Sequence, residues 1–219
     1  MDYEKPLLMP EIVKSRLRLL SKNLNFNPRN VIDIGAYEGY WSVGIKEIFP
    51  DCNIFMIEGD EDKKEILSKR RFPYEIVLLS DKENITTFYK TKHMYTTGNS
   101  IYKENSNSFT GDEYYSIQIL TQTLDKVVEK HKLTDIDIIK IDVQGAEKDV
   151  ILGGIRTVRS CKAIILELSI VEYNQGAPQI LEILNFMDQI SFKIYDIIEL
   201  HYDPNNNSLL QIDIIFIHK

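Results

Sequence analysis

The sequence predicts a three-layer α/β sandwich: a seven-stranded, mostly parallel sheet with one antiparallel strand and helices on both faces. Three observations carry this expectation. Short apolar runs alternate along the chain with segments of helical period. Runs such as "DIDIIKID" and "KAIILELS" are almost continuously apolar, which suits strands buried on both faces rather than strands with one wet side. The last two runs are joined by "HYDPNNNSLL", too short and too turn-rich for a crossover helix, so these two strands pair antiparallel.

Residues 10–24 form an amphipathic helix, with Pro10 near its first position and Ile12, Leu17, Leu20 and Leu24 in one stripe between Lys14, Arg18 and Lys22. Residues 1–28 thus read as a helical extension packed across the main body. Strands are expected at 31–35, 53–58, 75–80, 136–142, 163–169, 192–198 and 209–218, and helices at 39–48, 61–70, 121–131, 146–159 and 177–190. Two further short strands, 85–89 and 115–120, bracket a stretch of about 25 residues. Segments of that length inside a compact domain are lids or binding loops, so 90–114 is read as a lid over the acceptor. No repeat, low-complexity tract or linker divides the chain, and 1–219 reads as one domain.

A chain of 219 residues buries roughly 70% of the surface it exposes when unfolded, enough for a core without staples. Its net charge of -7 argues against a sequence-independent grip on nucleic acid, which needs a basic face. A small or neutral ligand fits better. The start "MDYEKPLLMP" carries acid where a secretory signal carries base, and no apolar run approaches the ~20 residues of a membrane helix. A soluble, cytoplasmic protein is expected, with Cys52 and Cys161 as buried free thiols.

In open α/β sheets ligands bind beyond the carboxyl ends of the strands, where the strand order reverses. The loop after the first strand, in "VIDIGAYEGYWS", runs Asp33-x-Gly35-x-x-x-Gly39. Gly35 permits a sharp turn and close approach of a ligand, Gly39 keeps the helix start clear, and Asp33 adds negative charge suited to an ammonium or sulfonium. The second strand ends at Glu58, where a carboxylate can accept two hydrogen bonds from ribose hydroxyls. The third ends at Ser80 and Asp81, where an adenine amino group would lie.

The segments "VIDIGAYEGYWSV", "FMIEGD", "VLLSDKENITTFY", "TLDKVVE", "DIIKIDVQGAEKDVILGG" and "AIILELS" resemble, in order and spacing, the FkbM family of S-adenosylmethionine-dependent methyltransferases. The likeness spans roughly residues 29–170, and "KIDVQGAEKDVILGG" is its most specific part. It implies a Rossmann-like methyltransferase fold, S-adenosylmethionine as cofactor, and O-methylation of a hydroxyl on a sugar or polyketide-like product. It implies a cofactor site made of Asp33, Gly35, Ala36, Gly39, Glu58, Gly59, Ser80, Asp81 and Asp142. Two departures stand out: Gly59 replaces the proline that often follows the ribose-binding glutamate, and Tyr37 and Glu38 occupy a loop that usually carries small or amide residues.

Methyl transfer to a hydroxyl needs a base near the methyl group. Asp142, at the end of the fourth main strand, is the first candidate. Glu167, costly to bury inside "AIILELS", is the second, and His93 in the lid is the third. Glu147 has the simpler role of an acid in a first helical turn. His201 lies in a turn that could reach the site; His131 and His218 receive no role. Tyr95, Tyr102, Tyr114 and Tyr115 offer faces for a sugar ring. No closely spaced His/Cys cluster calls for zinc, and no metal is expected, although Asp142 and Glu167 could hold magnesium or calcium. The partner expected is a carbohydrate-like small molecule, with a homodimer possible. A nicotinamide oxidoreductase lacks support because G-x-G-x-x-G is missing; a nucleic-acid methyltransferase fits the acidic balance poorly; an inert binding module would bind cofactor weakly.

Overall fold

The computed structural model describes residues 9–92, 97–105 and 111–219. The chain opens with α1 (Glu11–Asn23), then β1 (Asn30–Ile34), α2 (Tyr40–Ile48) and β2 (Asn53–Glu58). A 3-10 turn, Glu61–Lys63, leads into α3 (Lys64–Lys69) and β3 (Tyr74–Ile76). After β4 (Ile85–Thr91) and β5 (Tyr114–Leu120) come α4 (Leu124–His131), β6 (Ile138–Ile141), α5 (Glu147–Gly153) and α6 (Ile155–Ser160). The chain finishes with β7 (Ala163–Ser169), α7 (Ile180–Gln189), β8 (Phe192–Tyr202) and β9 (Leu209–His218).

Seven strands form the main sheet in the order β3-β2-β1-β6-β7-β9-β8. All neighbours from β3 to β7 are parallel, and β9 lies antiparallel between β7 and β8. Apolar residues on both faces of the middle strands explain the continuous runs. Val31, Ile138, Ile165 and Ile215 pack under Leu17, Leu20 and Ile45 of α1 and α2. Ile32, Ile139, Ile164 and Ile214 pack against Leu124, Val150, Val158 and Ile183 of α4 to α7. The expected sandwich is therefore observed, with the antiparallel pair at the predicted place.

Local differences have local causes. The third strand covers only Tyr74–Ile76, because the following residues turn to another partner: the Ser80 N–H donates to the Gln122 carbonyl and Leu79 bridges Gln122. Helix α4 begins at Leu124 because the Thr123 side chain caps it, accepting from the Lys126 N–H. The helix expected over 146–159 breaks into α5 and α6 at Gly154, whose φ of -122° lies outside the helical region. Strands β4 and β5 form a separate antiparallel hairpin, from Ile85↔Leu120 to Thr91↔Tyr114. Cys52 and Cys161 are buried and free. No helix among the described residues is long and apolar enough to cross a membrane.

The strand order reverses at β1, which has β2 on one side and β6 on the other. Register pairs Asp33 with Lys140 and Ile34 with Ile141, so the loop after β1 and the end of β6 leave the sheet side by side.

Candidate active site

The carboxyl ends of β1, β2 and β6 open on a cleft. Val77, Leu78, Leu79 and Phe88 make one wall apolar; Glu58, Gly59, Asp60 and Asn99 make the other polar. Gly35, Asp142 and Gln144 line its inner end.

Gly35 turns there at φ 72°, and a Cβ on it would sit 1.7 Å from the Asp142 carbonyl oxygen. Its missing side chain first serves the contact between two strand ends, and only then a ligand. Gly39, with φ 74°, precedes α2; a Cβ there would press on Arg70 Cγ at 3.0 Å and Met56 Sδ at 3.1 Å. Gly39 thus makes room for neighbouring side chains of the protein, and it does not line the cleft. Ala36 is likewise turned into the core.

Glu58 acts as a clip. Its carboxylate accepts the Tyr37 N–H at 2.7 Å and the Asp60 N–H at 2.8 Å, joining the glycine loop to the tip of β2. Tyr37 is held at φ 51°, a left-handed conformation that costs about 1–3 kcal/mol in a non-glycine residue and that this bond helps to hold. Burial pushes the Glu58 carboxyl up despite those two donors. Ser80 and Asp81 stand off from the cleft: the Ser80 hydroxyl donates to Asp81 at 3.3 Å, Asp81 is exposed, and Leu78 and Leu79 take the wall instead.

Asp33 is fully buried and points away from the cleft, toward α2, where it accepts the Ser42 hydroxyl at 2.6 Å. Its other oxygen has no hydrogen-bond partner but lies 3.8 Å from Lys140 Nζ. Lys140 donates to Asp142 at 2.9 Å. Burial would strip the lysine of its proton, but the carboxylates of Asp142 and Asp33 outweigh it and keep it charged. Burial likewise works to raise the Asp142 carboxyl, yet Lys140 and the Gln144 amide hold it below its ordinary range. Asp142 is therefore an ionised acceptor and a weak base. Lys140 escaped the sequence reading; its signal was a lone cation inside an apolar strand run.

Gln144 sits at φ 55° and spreads its side-chain amide between two acids, donating to Asp142 at 2.9 Å and also to Glu167. Gln211 donates to Glu167 at 2.9 Å. Burial and the nearby charges of Asp142 and Asp213 push Glu167 well above the usual carboxylate range. Glu147 reaches back from α5 to accept the N–H groups of Val143 and Gly145, each at 3.1 Å, and burial pushes it up to about 7. It shapes the loop after β6 from inside.

Residues 97–105 lie across the cleft. Thr97, Asn99, Ser100 and Ile101 face it; Asn99 donates to Asp60 at 2.8 Å and Ser100 to the Val143 carbonyl at 3.0 Å. The Tyr102 hydroxyl donates to Asp149 of α5, and the Tyr114 ring lies under Lys103, so both tyrosines have partners within the protein. His93 and Tyr95 lie outside the described residues.

Residues 33–214 match the methyltransferase FkbM domain family. The chain belongs to that family. Among curated proteins it is 26% identical over 174 residues to the 2-O-methyltransferase NoeI of Sinorhizobium fredii (strain NBRC 101917 / NGR234), a match that covers 72% of this chain and 70% of that protein. Solved structures of similar fold include the N-terminal domain of EvdMO1 in the presence of SAH and D-fucose, with TM-score 0.53 and 8% identity over 96% of this chain and 84% of that one. Another is the precorrin-6y C5,15-methyltransferase of Geobacter metallireducens GS-15, with TM-score 0.51 and 12% identity over 98% of this chain and 92% of that one. The FkbM chain is thus a methyltransferase by family, with S-adenosylmethionine as its methyl donor.

Proposed function

We propose that this FkbM methyltransferase methylates a hydroxyl of a carbohydrate or polyketide-like small molecule. The observation that carries the reading is the continuity of the cleft, from the Glu58 clip through Gly35 to Asp142 and Gln144, whose amide also reaches Glu167. The relative NoeI, a 2-O-methyltransferase, supports oxygen as the acceptor atom.

The residues present suit the cofactor. An apolar wall of Leu78, Leu79 and Phe88 suits an aromatic base, and the half-buried Glu58 carboxylate keeps lone pairs free for a diol. Bound S-adenosylmethionine supplies an electrophilic methyl on a sulfonium. The protein's part is to hold the acceptor in line with it, an arrangement worth ~7 to 11 kcal/mol in well-oriented reactions. Asp142 accepts a hydrogen bond from the acceptor hydroxyl and takes its proton as the new bond forms, while Lys140 and Gln144 fix the carboxylate in place. Residues 97–105 close over the acceptor and exclude water.

A labelled methyl-transfer screen over sugars, glycolipids and nucleotide-sugars tests this. Label entering a hydroxyl of one of these classes is the expected result. Label entering only nucleic acid or protein overturns the acceptor assignment.

A further inference from the structure

Beyond Asp142, the carboxyl ends of the strands continue into a second group of side chains. Register pairs Glu167 of β7 with Asp213 of β9, and Asp213 with Glu199 of β8. His201 pairs with Gln211 one step along. Residues paired across strands, or two apart along one, point to the same face. The inserted antiparallel strand therefore brings three carboxylates and an imidazole together on the sheet face that also bears Lys140.

One ligand-type atom each from Glu167, His201 and Asp213 lies within 4.8 Å of the others. His201 Nε2 is 3.2 Å from Asp213 Oδ1 and 3.7 Å from Glu167 Oε1. A charge-assisted N–H···O bond closes to about 2.7–2.9 Å, as the Lys140–Asp142 pair does at 2.9 Å. The imidazole nitrogen stands off from both carboxylates by more than that. Donor atoms that share a metal ion with bonds of about 2.1 Å, at angles between about 90° and 109°, lie about 3.0 to 3.4 Å apart, a range that holds the 3.2 Å pair and that the 3.7 Å pair exceeds by a few tenths of an ångström. Charge points the same way. Asp142, Glu167, Asp213 and Glu199 are four acids in one row, and among the described residues the basic groups paired with it are Lys140 and His201. The second oxygen of Glu167 is already fixed by the amides of Gln144 and Gln211, which orients the first.

We propose that Glu167, His201 and Asp213 form a binding site for one divalent cation next to Gln144, which lines the cleft. Two carboxylate oxygens and one imidazole nitrogen, with no thiolate, suit an ion such as Mn2+ that takes oxygen donors together with an imidazole. Three protein ligands leave coordination positions open for oxygens of the acceptor. The consequence rests on the methyl-transfer reading: a cation there lowers the pKa of a bound hydroxyl, so that a base as weak as Asp142 suffices to take its proton. Glu167 then serves the cation and not the proton. The expectation of no metal came from sequence spacing, whereas these ligands come from three strands joined only by sheet register.

The test is a titration of Mn2+ into the whole chain without cofactor or acceptor, followed by loss of the free-ion signal in electron paramagnetic resonance. One saturable site per chain is expected, weakened at least tenfold in Asp213→Asn and in the more exposed His201→Gln, with folding of each checked by circular dichroism. Absence of saturable binding in the unaltered chain overturns the site, as does equal binding by both folded variants. Because neither cofactor nor acceptor is present, such a result leaves methyl transfer itself to the labelled screen.

Discussion

Glu58 holds two backbone N–H groups of its own protein, so its removal both frees the glycine loop and deletes the acceptor offered to a ribose diol. Glu58→Ala should weaken S-adenosylmethionine binding by about tenfold or more, since hydrogen bonds to a charged group contribute about 1.5–3 kcal/mol. Unchanged affinity by calorimetry in a folded variant sinks the assignment. Asp142 makes a different prediction. Asp142→Asn keeps the size of the side chain but cannot take a proton, so turnover should fall by ~10² or more while cofactor affinity barely moves. If affinity falls in step with turnover, Asp142 is a ligand of the cofactor and not the base. Glu147 predicts a pH effect on stability. Its carboxyl is raised to about 7 in the fold, above its ordinary 4.5, so the folded state binds the extra proton between those values. Stability from this group is full below about pH 4.5, declines as pH rises to about 7, and is flat above, a loss on the order of 3 kcal/mol. Glu147→Gln should remove that decline; equal losses of unfolding free energy between about pH 5 and pH 8 in both proteins would refute the burial account.

At the scale of elements, the described residues 97–105 are tied to the cleft by Asn99 to Asp60 and Ser100 to the Val143 carbonyl, and to residues 173–175 by backbone bonds of Lys103 and Asn105. Segments outside the main sheet exchange their amides through local opening, which a bound ligand opposes. Amide exchange across residues 97–105 should therefore slow when cofactor and acceptor are added together, and full protection in the free protein would show that the segment does not move. This segment, the glycine loop and the strands were legible in sequence because each is announced locally, by length, by glycine spacing or by an unbroken apolar run. What escaped is non-local. Lys140 holds Asp142 two residues along its own strand, but its second partner, Asp33, comes from register across β1 and β6, which no spacing along the chain announces. Asp213 and Gln211 reach Glu167 only because β9 inserts between β7 and β8. The third strand ends before its apolar run does, because Leu78, Leu79 and Ser80 pair with Gln122, a choice made by a distant segment.

For the molecule as a whole, a ligand that binds only the folded state stabilises it by mass action. At a hundredfold excess over Kd, S-adenosylmethionine should add about 2.7 kcal/mol, which for a chain of this size raises Tm by about 5–10 °C. A nicotinamide dinucleotide should give no shift in the same scan; a shift with it alone would overturn the cofactor. The cleft sits where two halves of the sheet meet, and there the chain carries a gauge. Gly35 lets the backbone after β1 touch the backbone after β6, at a separation that any side chain would forbid. In the proposed reading the donor rests on one side of that contact and the acceptor on the other. The gap the methyl group must cross is therefore fixed by main chain against main chain, while lids and walls around it are free to change length and residue. A methyl group on residue 35 itself, the smallest addition chemistry allows, would spread the two strand ends and with them the two reactants.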